Sequence, residues 1–170
     1  DLHGTSHSFP TRRSSDLRFT VPACLAGKCE QSEYLRWLEA KARAHAKRDR
    51  ARYGASSCTV ASYKTAIHDA VCNSGDRDYY TGLPLDWSLI SKWNNEEAKR
   101  DRVEYKRKFG NLPTVDHTVD ENGKLRFVIC SWRVNDAKSD LSVPEFLELC
   151  SQVLEHHRLK QSKATAALSA

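Results

Sequence analysis

No run in this 170-residue chain approaches the roughly eighteen consecutive apolar residues that a membrane span requires, which excludes a helical transmembrane protein. Paired-cysteine spacing is missing as well. The six cysteines, at 24, 29, 58, 72, 130 and 150, include no Cys-x-x-Cys and do not form the tight framework of a secreted mini-protein. They read as reduced thiols of a cytoplasmic protein. Neither sign of charge dominates, since 27 Lys and Arg stand against 22 Asp and Glu, and the balance of +5 leans towards polyanionic partners without naming one. There is no internal repeat and no dividing linker, and the length suits a single domain.

Residues 1–17, DLHGTSHSFPTRRSSDL, show no apolar periodicity and have the composition of a disordered tail. From His7 to Leu17 they also resemble, residue for residue, the translation of a common short-read sequencing adapter, and Asp1-Leu2-His3 fits its preceding bases. The segment is set aside as one sets aside a fusion scar. Its Arg12 and Arg13 cancel Asp1 and Asp16, so the whole +5 belongs to residues 18–170.

The remaining chain reads as one domain over 18–158, of α+β class and mostly helical. From about 31 to 53, Leu35, Leu38, Ala42 and Ala46 recur at helical spacing, with Arg36, Lys41, Arg43, Lys47, Arg48, Arg50 and Arg52 between them. That is an amphipathic helix with a basic face, suited to phosphates or simply to solvent. Gly54, Ser56 and Ser57 end it, and Thr59 caps a second helix striped by Val60, Tyr63, Ile67 and Val71, which Asn73-Ser74-Gly75 closes. A third helix is expected over about 94–109, with Glu96 and Glu97 at its start and Lys106, Arg107 and Lys108 at its end, in the order a helix dipole favours. The last, over 143–157, opens with the capping pattern Ser142-Val143-Pro144-Glu145 and offers Phe146, Leu147, Cys150, Val153 and Leu154 to a core. Residues 159–170 are expected to be a frayed or disordered tail.

Between these helices the pattern becomes β-like. Pro113-Thr114-Val115 and Leu125–Cys130 are strand-type runs around Asp120-Glu121-Asn122-Gly123, whose Asn-Gly is a strong hairpin signal. Asp116 and His117 are expected to leave the first strand, and Trp132–Lys138 to turn into a short helix entered by Asn135. Phe127 and Trp132 read as core residues, and His68, beside the stripe of the second helix, as a packed or hydrogen-bonded histidine.

Residues 113–142, PTVDHTVDENGKLRFVICSWRVNDAKSDLS, resemble the ββα-metal core of HNH nucleases. Asp116-His117, a hairpin, and Asn135 followed three residues later by Lys138 match that core in order, and Tyr80-Thr81-Gly82-Leu83-Pro84 resembles the segment preceding it. The resemblance implies a metal-dependent endonuclease hydrolysing DNA phosphodiesters. His117 would be the general base, Asp116 and Asn135 would ligate one Mg²⁺ or Mn²⁺, and Arg133 or Lys138 would contact a phosphate oxygen. DNA, or RNA, would be the partner, with Arg36, Lys41, Arg43, Lys47, Arg48, Arg50 and Arg126 among the contacts.

Two departures temper this. Related cores carry a bracing Asn nine residues before the last metal-binding residue, where this chain has Arg126, so Asp120 or Asn122 would have to compensate or the site would be degenerate. Many relatives also fix the Thr-Gly segment with zinc-binding cysteines, whereas Tyr79 and Tyr80 precede Thr81 here and Cys72 has no Cys-x-x-Cys partner, so no structural zinc is expected. The alternatives are a nucleic-acid-binding module of the same fold without hydrolysis, or a nuclease acting on RNA or as a toxin.

Overall fold

The computed structural model of the chain describes residues 18–54, 59–119 and 125–168. The adapter-like segment, Ser56, Ser57, Cys58 and the turn holding Asp120 and Asn122 lie outside them. The architecture is α+β, six α-helices and one two-stranded antiparallel sheet among the described residues.

Helix α1 (Gln31–Tyr53) starts at a reciprocal capping box between Glu30 and Glu33 and stops at Gly54, whose φ of 62° is one that glycine adopts without strain. Its buried side chains, Tyr34, Trp37, Leu38, Ala42, His45, Ala46 and Asp49, recur every three or four residues and form one stripe. Four of them, Tyr34, Trp37, Leu38 and Ala42, join the main core with Trp87, Ile67 and Val71 of α2 (Val60–Ser74), and Val115 and Ile129 of the sheet. Each fully buried aliphatic side chain contributes about 1.5–3 kcal/mol to holding these layers together. Thr59 caps α2 as expected, accepting from the Ser62 amide at 3.1 Å, and Gly75 closes it.

The helix expected over 94–109 is two helices, α3 (Asn95–Arg100) and α4 (Arg102–Lys108). Asp101 divides them: its backbone leaves the helical region, and its carboxylate accepts from the Glu104 amide and starts a new helix. Tyr105 of α4 and Phe109 just after it pack with Leu89, Leu112, Trp93 and Trp132 in a second, smaller cluster.

Strands β1 (Pro113–Val119) and β2 (Leu125–Ser131) pair in a register that sets Asp116 opposite Val128 and His117 opposite Phe127. The first strand thus runs on to Val119 instead of ending at Val115. Helix α5 (Trp132–Lys138) follows at once, its first turn capped by Ser131, whose hydroxyl accepts from the Val134 amide.

Helix α6 (Val143–Leu168) begins at the expected Ser142–Glu145 box but continues past His157, so the tail expected over 159–170 is helical as far as Leu168. Lys, Gln and Ala are good helix formers and keep the backbone helical without a core beside it. Nor does α6 offer its apolar residues to the core as expected. Leu147, Val153 and Leu154 are exposed, whereas Cys150 is half-buried and Phe146 leans against the Tyr80 ring. No helix among the described residues is long and apolar enough to cross a membrane.

Candidate functional site

The expected constellation divides at the sheet. Because β1 continues through Val119, Asp116 and His117 are successive residues inside a strand, and successive strand side chains point to opposite faces. The two meet different surroundings.

His117 lies on the face covered by α1 and α2. Its ring centroid is 4.8 Å from that of His45 and 4.7 Å from that of Phe127. The Arg48 guanidinium donates to Nδ1 of both histidines, at 2.6 Å to His45 and 3.0 Å to His117. A guanidinium has only hydrogens to offer, so both Nδ1 atoms are acceptors and the imidazole hydrogens sit on Nε2. Nε2 of His117 lies 3.2 Å from Asp49 Oδ2, close enough for electrostatic attraction but outside hydrogen-bond alignment. Asp49 is 2% exposed and is held from the other side by the Tyr63 hydroxyl at 2.7 Å. Burial lowers the His117 pKa, with Asp49 opposing the shift and Arg48 adding to it. Burial, then Arg48 and His117, lower that of His45 to about 3. Both rings are therefore neutral at physiological pH. A cavity of about 190 Å³ beside them is lined by Asp49, Tyr63, His117, Arg126 and Phe127.

Asp116 lies on the opposite face. It accepts from the Tyr80 hydroxyl at 2.7 Å and from the His117 amide at 2.8 Å, and the Lys138 ammonium stands 3.3 Å away. Lys138 is 5% exposed and also donates to the Leu141 carbonyl. Tyr80 is brought there by Asp78, a buried carboxylate that accepts from the Tyr80, Thr81 and Ser131 amides and so ties the Thr81-Gly82 turn to the start of α5. Burial and then the Asp116 hydrogen bond raise the Tyr80 pKa, keeping its proton in place.

Asn135 opens into a groove between α1 and α5 that also holds Lys41 and Thr114, the latter on the same face of β1 as Asp116. Its side chain makes no hydrogen bond among the described residues, and Asp116 is not a partner. As a divalent-cation site, Asp116 and Asn135 do not fit. The one carboxylate already has an ammonium and a hydroxyl on it, a second ammonium, Lys41, faces the same groove as the amide, and Mg²⁺ ordinarily takes one or two carboxylates free of such competition. No group of three or more His, Cys, Asp or Glu arranged to hold a metal ion occurs among the described residues. The two expected phosphate contacts are also placed elsewhere: Lys138 is buried on Asp116, and Arg133 lies over Gly110 and donates to the Arg107 carbonyl.

The basic helix forms as expected. Arg36, Arg43, Lys47 and Arg50, spaced by seven, four and three residues, share one solvent-facing side of α1. Arg43 pairs with Glu39 at 2.7 Å, whereas Arg36, Lys47 and Arg50 have no carboxylate partner among the described residues. Lys41 turns inward to Thr114, Arg48 is engaged by the histidines, and Arg126 is exposed at the mouth of the small cavity. Sequence reasoning missed Asp49, although a carboxylate in register with Leu38, Ala42 and Ala46 on an apolar stripe was a signal that it needed a partner. His68 is hydrogen-bonded as expected, 2.7 Å from the Tyr34 hydroxyl, and the cysteines among the described residues are free. No protein-family model, no curated protein and no solved structure matches this chain.

Proposed function

We propose that this chain is an HNH-like nucleic-acid-binding protein whose helix α1 lies along a phosphate backbone. The observation that carries the reading is the row of Arg36, Lys47 and Arg50 on one side of α1 without carboxylate partners among the described residues. From Arg36 to Arg50 the row spans about 21 Å at 1.5 Å per residue. That is the length of about six nucleotides along one strand of a duplex, at roughly 3.4 Å each. Contacts of this kind supply affinity and register without reading sequence. The order β1, β2, α5, with Asn135 and Lys138 on the helix, supports the HNH-like part of the reading. The test is fluorescence anisotropy of a labelled 20-base-pair DNA duplex, with an RNA duplex beside it. The reading expects binding at 50 mM salt that weakens at least tenfold at 200 mM, and no binding at 50 mM would refute it.

A second reading, phosphodiester hydrolysis, is favoured by one specific observation, the Asp49–His117 contact. Asp49 faces the Nε2 hydrogen of His117, which directs the basic lone pair to Nδ1, and Arg48, 43% exposed at its side chain, can turn from Nδ1 to a phosphate. Nδ1 would then take one proton of a water whose oxygen bonds to phosphorus as the P–O bond to the leaving oxygen breaks, that oxygen taking its proton from bulk water, while Arg126 at the same cavity meets a non-bridging oxygen. Asp49 would thereby do the bracing that an Asn in place of Arg126 does in related cores. Plasmid incubated with the protein in Mg²⁺ or Mn²⁺ checks it. Cleavage lost in His117→Ala supports hydrolysis, and no cleavage by the unaltered protein in either metal removes it.

A further inference from the structure

The groove that receives Asn135 otherwise shares only Arg36 with the readings above. It lies between α1, the segment up to Trp93, and α5, with a volume of about 570 Å³, within the range of small-molecule sites. One wall is aromatic: Trp93 and Trp132 meet edge to face with ring centroids 4.9 Å apart. The other wall is cationic, formed by Arg36 and Lys41. Neither cation has a carboxylate partner among the described residues. Lys41 donates to the Thr114 hydroxyl at 2.9 Å, and Arg36 reaches only the Ser32 carbonyl of its own helix. Glu33, the one carboxylate lining the groove, accepts from the Glu30 amide in the α1 capping box. Burial lowers the Lys41 pKa to about 8, so the ammonium is charged at neutral pH and held where water stabilises it poorly. An under-solvated cation whose hydrogen bond goes to a neutral hydroxyl gains from an incoming anion. Asn135, with both amide groups unused among the described residues, can donate to and accept from a base edge.

We infer that this groove binds a nucleotide unit, with the base against Trp93 and Trp132 and within reach of Asn135, and the phosphate on Arg36 and Lys41. An aromatic ring alone would bring no charge to the cationic wall, and a bare phosphate would cover none of the indole surface that lines the groove. A nucleotide satisfies both walls. The unit has two possible sources, a free mononucleotide or a base turned out of a strand lying on α1. The second source rests on the nucleic-acid reading, and the first does not.

Tryptophan fluorescence of the full chain, titrated with AMP, adenosine, inorganic phosphate and the single strand (dA)₅, tests the inference. AMP is expected to bind at least tenfold more tightly than adenosine or phosphate. Arg36→Ala and Lys41→Met are each expected to weaken AMP about tenfold, the scale of one lost charge-assisted contact, with the circular dichroism spectrum unchanged. Arg36 is exposed and its substitution leaves the core intact, so that variant carries the test alone if Lys41→Met does not fold. A (dA)₅ response with the same sensitivity to Lys41→Met, a residue off the α1 row, assigns the site to strands, and an AMP response without a (dA)₅ response assigns it to free nucleotides. AMP binding no tighter than phosphate, or equal in Arg36→Ala and the unaltered chain, overturns the inference. Duplex DNA read in parallel separates the two ideas. Duplex binding without an AMP or (dA)₅ response removes the groove alone, and AMP binding without duplex binding upholds the groove while removing the reading of α1.

Discussion

Replacing Lys138 with Met removes an ammonium from a place where it cannot be replaced by water. Lys138 is 5% exposed, and its charge faces Asp116 at 3.3 Å. Breaking a buried ion pair by deleting one partner costs about 3–5 kcal/mol, because the remaining charge stays buried without compensation. Asp116 keeps the Tyr80 hydroxyl and the His117 amide, which places the cost at the low end, about 3 kcal/mol. With a urea slope of about 2 kcal/mol per molar, the unfolding midpoint falls by about 1.5 M. Asp116→Asn leaves Lys138 buried and unpaired in its turn, so the double variant is expected to lose less than the sum of the singles, with a coupling of about 2 kcal/mol. Urea titrations of the four proteins, followed by circular dichroism, provide the cycle. Additivity to within about 0.5 kcal/mol would refute the pairing, and with it the reason for denying Asp116 to a divalent cation.

Other consequences are as direct. Buried His45 and half-buried His117 both resist protonation in the fold, so the unfolded chain takes up the protons as pH falls below about 6.5, and stability is lost downwards from there towards the His45 value of about 3. Melts across that window should steepen by up to about 1.4 kcal/mol per pH unit for each histidine, and His45→Gln should flatten the profile. Asp49→Asn removes the charge that opposes the shift of His117, so the His117 pKa read by NMR titration should fall further, and an unchanged value would disconnect the two residues. Ile67→Ala opens a cavity in the centre of the main core and should cost about 2–5 kcal/mol in urea unfolding, against less than 0.5 kcal/mol for a surface change such as Lys47→Ala.

The helices and the hairpin were legible because local chemistry specifies them. Gly54, Thr59, Ser131 and the Ser142–Glu145 box do in the fold what their residue types suggest. Asp101 shows the limit of reading by periodicity, since one carboxylate able to cap divides what spacing alone joins. The site was less legible, for a reason of register. The four further residues of β1, 116–119, turn Asp116 and His117 from a shared strand end into opposite faces of the sheet. What each then meets comes from distant parts of the chain, Asp49 and Arg48 from α1 and Tyr80 from the Thr81-Gly82 turn, and no local pattern carries such contacts. Lys138 likewise sits at its expected helical position, but burial against Asp116 assigns it to a carboxylate and not to phosphate.

The slope of log Kobs against log salt for the 20-base-pair duplex tests the reading of α1 most directly, because each phosphate contact removed lowers it by a countable amount. Lys47→Ala and Arg50→Ala each delete one exposed cation of the row and touch no core residue. The account predicts that each lowers the slope by about one and weakens binding equally across duplex sequences, with the double variant lower by about two. A double variant that keeps both the affinity and the slope of the unaltered chain would contradict it.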